Sequence, residues 1–161
     1  RLDCGHSLQI PAGHWHLRPM PLSGSYLESL SEAKVANAER SEAFELVAAA
    51  GDKKNLIAVL GSKPVLLKGK VSIEAGSSGI GVPVGLIAVS DEVNRRMGGP
   101  RLTRTGPDGS FRFDGLAPGD YRVIASFALD SVVAVENFGP GGRSVRLDDG
   151  QENEIEIEWQ Q

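Results

Sequence analysis

Sulfur and imidazole are scarce in this chain, aromatic rings are few, and no apolar run is long. Each shortage removes a class of function. Cysteine occurs once, at Cys4, so no disulfide can close within the chain. Histidine occurs only at His6, His14 and His16. No Gly-x-Ser-x-Gly elbow, phosphate loop or dinucleotide fingerprint is present. The glycine-rich run at 139–142 is not followed by a helical pattern, so it lacks the setting of an anion-binding loop. Apolar runs stop well short of a membrane span. The formal net charge is −4 and the basic residues are scattered, which argues against a nucleic-acid partner. No charged segment followed by an apolar one marks the start at Arg1, so the sequence is expected to be a processed or excised piece of a longer protein.

Turn residues are what the chain has in excess, with 20 Gly and nine Pro, and this suits a turn-rich all-β chain better than a helical one. The densest signal is 105–126, TGPDGSFRFDGLAPGDYRVIAS. Phe111 and Phe113 alternate with Arg112 and Asp114, which in a strand puts both rings on one face and both charges on the other. Asp108-Gly109 is a hairpin signal, because glycine accepts the positive φ of a tight turn. Asp114-Gly115 is expected to end the strand, and Pro118-Gly119 to form a type II turn. The next strand carries Tyr121, Val123 and Ala125 on one face and Arg122 on the other. The expectation is an antiparallel pair whose apolar face needs a second layer.

The run 107–125 resembles the carboxypeptidase regulatory-like family: an Asp-Gly turn, an alternating aromatic strand, a Pro-Gly turn and a Tyr-led strand. Gly69 and Val71, in a candidate strand at 66–74, fit that family's opening strand. The resemblance spans about 65–159 and implies a transthyretin-like (prealbumin-like) β-sandwich, with Asp108, Gly109, Phe111, Phe113, Pro118, Gly119 and Tyr121 as its structural motif. Such modules occur on many unrelated secreted proteins, so the resemblance implies a secreted, periplasmic or cell-surface bacterial location more than any ligand. It is to the accessory part of the peptidases. The catalytic His-x-x-Glu pair is absent, since Gln9, Leu17 and Pro19 follow the three histidines at that spacing. Cna-B-type domains share the sandwich and carry a Lys–Asn crosslink. Lys68 or Lys70 with Asn153 could be placed that way, but no acid is evident between them.

Two domains in tandem are expected, 1–63 and 64–161, joined by the short linker Gly61-Ser62-Lys63-Pro64. Both read as immunoglobulin-like or prealbumin-like sandwiches, and the reading leaves open that the first lacks its opening strands. Its candidate strands are 6–10, 14–18, 25–30, 43–48 and 55–60, with 31–45 read as short strands or strand and loop. In the second domain 82–89 is a continuous apolar strand, 91–100 a charged loop and 131–135 a β-branched apolar run. A final hairpin is expected across Asp148-Asp149-Gly150, with Ile155, Ile157 and Trp159 alternating with Glu154, Glu156 and Glu158.

Candidate chemistry is thin. Cys4, His6, His14 and His16 are metal-capable, but solvent-facing histidines beside a core-facing Trp15 and Leu17 explain the pattern better. Asp148, Asp149 and Glu152 spell no full calcium loop. Arg95, Arg96 and Arg101 beside Gly98-Gly99 could grip a carboxylate or sugar. No catalytic residue and no cofactor is expected. The function read from these residues is a structural or interaction module, docking neighbouring domains or identical subunits through sheet edges. The alternative is a carbohydrate-binding accessory module, which exposure of Trp15, Tyr26 or Phe138 would favour.

Overall fold

The computed structural model describes residues 7, 9–18, 20, 21, 24–32, 45–72, 79–138 and 141–159. In chain order the elements are β1 (Gly13–His16), β2 (Leu27–Glu32), β3 (Glu45–Ala48), β4 (Leu56–Leu60), β5 (Val65–Ser72), β6 (Pro83–Ala88), α1 (Asp91–Arg96), β7 (Arg101–Arg104), β8 (Ser110–Leu116), β9 (Gly119–Ala125), α2 (Val132–Asn137), β10 (Arg143–Leu147) and β11 (Glu152–Glu158). Among the described residues the structure is all-β apart from two short helices.

From β5 onward the strands form a sandwich of two sheets, ordered β10-β9-β6-β7 and β11-β5-β8. Period-two alternation turns the same parity of each strand inward. Leu67, Val71, Phe111, Phe113, Ile155 and Ile157 from the three-stranded sheet meet Val84, Leu86, Tyr121, Val123 and Leu147 from the four-stranded one. Each such side chain contributes roughly 1.5–3 kcal/mol on burial. β6 is buried along nearly its whole length because it has strands on both edges and α2 against its outer face, where Ile124, Leu129 and Val135 form a second small core. That is why 82–89 reads as an unbroken apolar run.

Before β5, two antiparallel pairs interleave: β1 with β3 and β2 with β4. Their own core is small, Leu27 and Leu30 with Leu17 against them. Tyr26 does not join it; at 3% exposure its ring belongs to the core of the sandwich.

Several expectations are corrected. β8 and β9 are not a paired hairpin: β8 pairs with β5, and β9 lies in the other sheet between β6 and β10. The Pro118-Gly119 connection therefore arches between sheets, and Gly119 has φ of 154° where a type II turn needs about +80°. β10 and β11 are likewise split, and β11 runs parallel to β5 from Glu152↔Leu66 to Glu158↔Ser72. Asp114-Gly115 does not end β8. Gly115, at φ 65°, sits inside it at a register shift opposite Leu66, a β-bulge, and the strand continues to Leu116.

The charged loop at 91–100 contains α1, capped by Ser90, with Asp91 and Glu92 in its first turn and Arg95 and Arg96 in its last. The β-branched run at 131–135 is the start of α2, where Ser131 accepts from the Ala134 N–H at 3.2 Å. Ser7, Gln9 and Ile10 pair with no strand. Most of 31–45 lies outside the described residues.

Candidate functional site

The sequence-predicted structural motif occupies the seams between the two sheets. Asp108 accepts from the Ser110 N–H at 3.1 Å and from its hydroxyl at 2.6 Å, closing the turn that carries Gly109 at φ 75°. Those two hydrogen bonds hold its carboxyl below the usual carboxylate range. Phe111 and Phe113 are buried and meet edge-on, 5.9 Å between centroids. Tyr121 is buried and its hydroxyl donates to the Ala117 carbonyl at 2.7 Å, spanning the arch that contains Pro118 and Gly119. Burial pushes its phenol well above the ordinary tyrosine value.

A second seam joins the first part of the chain to the sandwich, and Arg96 is its hub. Its Nη2 lies 3.0 Å from Glu28 Oε2, its Nε donates to the Leu27 carbonyl at 3.2 Å, and its guanidinium lies over the Tyr26 ring. Gly61 completes the enclosure: its N–H donates to the Tyr26 carbonyl at 2.9 Å, and a Cβ there would overlap the Tyr26 ring. Arg18 adds a hydrogen bond to the Gly98 carbonyl at 2.7 Å and an ion pair with Glu136 at 3.4 Å. Of the arginines read as a ligand grip, Arg96 is thus committed within the chain, and Arg101 Nη2 donates to the Met97 carbonyl.

His14 and His16 share the exposed face of β1, and His16 Nδ1 lies 3.7 Å from Glu45. Cys4 and His6 lie outside the described residues. Among the described residues no group of three or more His, Cys, Asp or Glu side chains is placed to hold a metal ion. Asp148 faces Arg146 at 3.5 Å, and Glu152 pairs with Lys68 on the outer face of β5. Asn153 has the parity of buried Ile155 and Ile157, so it faces away from Lys68. Among the described residues no helix is long and apolar enough to cross a membrane.

Tyr26 is buried and Trp15 and Phe138 are half-buried, so none of the three forms an open aromatic platform. Among the described residues the exposed ring is Phe127, which sequence reasoning missed. It is 59% exposed and stands edge-on to half-buried Trp159, 6.0 Å between centroids. Among the described residues, two open grooves that flank the sandwich have polar linings. One, of about 440 Å³, is lined by Lys68, Lys70, Arg104 and Arg112 with Glu154. Most of its cations are already engaged: Lys68 with Glu152, Arg104 with the Gly81 carbonyl, and Arg112 with Asp114 at 3.9 Å. The other, of about 370 Å³, lies between β10 and β11 and is lined by Ser72, Arg143, Glu156 and Glu158.

No family model matches the chain, and no curated protein does. Among solved structures, a streptococcal ancillary pilin is similar over 92% of this chain and 45% of its own, at 18% identity and a TM-score of 0.42. A DUF3823 family protein from Parabacteroides merdae is similar over 61% of this chain and 46% of its own (20% identity, TM-score 0.40). The major pilin subunit of Bacillus cereus is similar over 66% and 32% (12% identity, TM-score 0.37). The chain spans less than half the length of each of these three. Likenesses this distant carry no conclusion about activity or partners, and the sandwich rests on the chain's own register and core.

Proposed function

We propose that the chain is a non-catalytic docking module of a secreted, periplasmic or cell-surface bacterial protein. In this reading 64–161 is a carboxypeptidase regulatory-like sandwich and 1–63 a smaller β unit packed on it. The module works by offering a sheet edge to an identical subunit or a neighbouring domain. One observation carries the reading. β4 is apolar throughout, its described partner is β2 alone, and Leu56, Val59 and Leu60 stay 39–42% exposed. A strand apolar on both faces is suited to cover on both faces. β4 also lacks the charges and prolines that blunt the edges of monomeric proteins.

The test is the mass of the chain in solution across a concentration series, by light scattering. The expected result is an assembly larger than one chain that Val59→Lys returns to the monomer. A chain that stays monomeric throughout would remove homo-assembly from the reading. Unchanged amide-exchange protection of β4 when the neighbouring part of the polypeptide is appended would remove the neighbouring-domain form.

A further inference from the structure

We propose that the groove over the outer face of β5 and β8 binds an anionic glycan through its carboxylate or sulfate groups. One opening of about 440 Å³ is lined by the cations Lys68, Lys70, Arg104 and Arg112 and by a single carboxylate, Glu154. Thr103 and Ser110 add hydroxyls to the same lining. The chain as a whole has a formal net charge of −4, so this gathering of cations runs against its overall balance.

Strand pairing puts the cations there. Leu67 and Val71 of β5 and Phe111 and Phe113 of β8 turn into the core, so Lys68, Lys70 and Arg112 face outward. Lys68 and Lys70 stand two residues, or about 7 Å, apart along β5. Lys68 lies directly opposite Arg112. The Val71 N–H donates to the Gly109 carbonyl at 3.0 Å. Counting down the register from that bond makes Lys68 and Arg112 a non-hydrogen-bonded pair. Side chains come closest at such pairs, and like charges there are destabilising. The fold thus keeps a repulsion that a bound anion relieves, as functional sites do.

The contacts within the chain leave much of this charge available. Arg104 donates to the Gly81 carbonyl, which is neutral. Arg112 and Asp114 are 3.9 Å apart and more than half exposed, an ion pair worth little in water. Lys68 pairs with Glu152 and has further N–H donors.

Edge chemistry and charge narrow the occupant. A peptide strand added beside β8 is disfavoured because the outward N–H and carbonyl of Ser110 are taken, by Asp108 at 3.1 Å and by the Gly106 N–H at 2.8 Å. A nucleic acid is disfavoured because Phe111, the ring in the lining, is 4% exposed and offers no stacking face. Glu154 and Glu156, matched to Lys68 and Lys70 in the β11 register, also repel a densely charged chain. A glycan spaces its charges more widely, and its hydroxyls meet those of Thr103 and Ser110. No residue of β4 takes part, so the site stands apart from the docking edge.

The experiment follows the amide shifts of the isotope-labelled full chain. Tetramers of galacturonic acid, sulfated carrageenan, cellulose and thymidylate are added separately. The expected result is a saturable shift at Lys70, Thr103 and Arg112 with at least one of the two acidic glycans, and whichever responds tells carboxylate from sulfate. Raising salt from about 50 to about 200 mM is expected to weaken that binding several-fold. Arg112→Gln, at an exposed position, is expected to weaken it about tenfold. Its melting temperature is expected to be unchanged or raised, because the repulsion with Lys68 is gone. Arg104→Gln is expected to weaken binding too, and Val59→Lys to leave it as it was. The proposal is overturned if neither acidic glycan shifts these amides up to about 10 mM. It is equally overturned if Arg112→Gln binds like the parent, or if the cellulose or thymidylate tetramer binds best.

Discussion

The guanidinium of Arg96 lies 5.2 Å above the ring of Tyr26, and that ring is part of the sandwich core although it is supplied from the segment before β2. One side chain thus joins a helix of the sandwich to the preceding β unit by a cation–π contact, an ion pair and a backbone hydrogen bond. Arg96→Ala is expected to cost about 1–3 kcal/mol in urea denaturation. Tyr26→Ala is expected to cost about 3–5 kcal/mol, because it leaves a cavity in the shared core. A double-mutant cycle of Arg96→Ala with Tyr26→Phe checks how much of the Arg96 loss survives a conserved ring.

Gly115 tests the same seam from the other side. A Cβ there would lie 2.6 Å from the Ser25 backbone nitrogen, and φ is 65°, so Gly115→Ala is strained twice over. The expected outcome is faster amide exchange across 24–32 and readier proteolysis there, with the cores of β5, β6 and β9 still protected. Equal loss of protection in all these strands would show instead that the seam and the sandwich unfold together.

Gly69 sits opposite Phe111 in the β5–β8 register, and the phenyl ring fills the space a side chain would take. A Cβ at Gly69 would stand 2.5 Å from both Phe111 Cζ and the Ile155 carbonyl oxygen. Gly69→Val is expected to destabilise by about 1–3 kcal/mol or more by overpacking, measured by the thermal midpoint. Gly69→Val with Phe111→Leu should recover part of it.

Tyr121 sets an alkaline limit. Its phenol is raised by burial above the value of about 10 that it has when unfolded. The unfolded chain therefore loses that proton first. The stability contribution is complete below about pH 10 and falls as pH rises toward the folded value, by about 1.4 kcal/mol per pH unit. Tyr26 is raised in the same direction, first by burial and then by Glu28. Tyr121→Phe should flatten the alkaline slope by one proton's worth. At neutral pH it should cost about 1–3 kcal/mol for the abandoned Ala117 carbonyl, read by urea denaturation at pH 8 and pH 11.

Alternation made the faces of the strands legible but not their sheets. Phe111, Phe113, Tyr121, Val123, Ile155 and Ile157 all point inward as their spacing requires. Nothing in that spacing says whether successive strands pair or arch across a core, so two hairpins were expected where two arches exist. Signals for α1 were present, a serine cap, acidic first turn and basic last turn, but six residues give no amphipathic period to weigh against a loop. In α2 the β-branched run 131–135 reads as extended, and the cap that Ser131 supplies shows only in the structure. Phe127 lies just past the end of β9, where period two no longer says which way a ring points, and only the position of Trp159 at the end of β11 reveals a pair.

The first and last strands of the sandwich, β5 and β11, lie side by side and parallel over seven matched positions. Tension applied at the head of β5 and the tail of β11 would drag the two strands past each other lengthwise. Their ladder of backbone bonds would then be loaded together, in shear, and could not be peeled open one at a time. The arrangement gives the sandwich stiffness along its strands, because all seven matched positions resist at once.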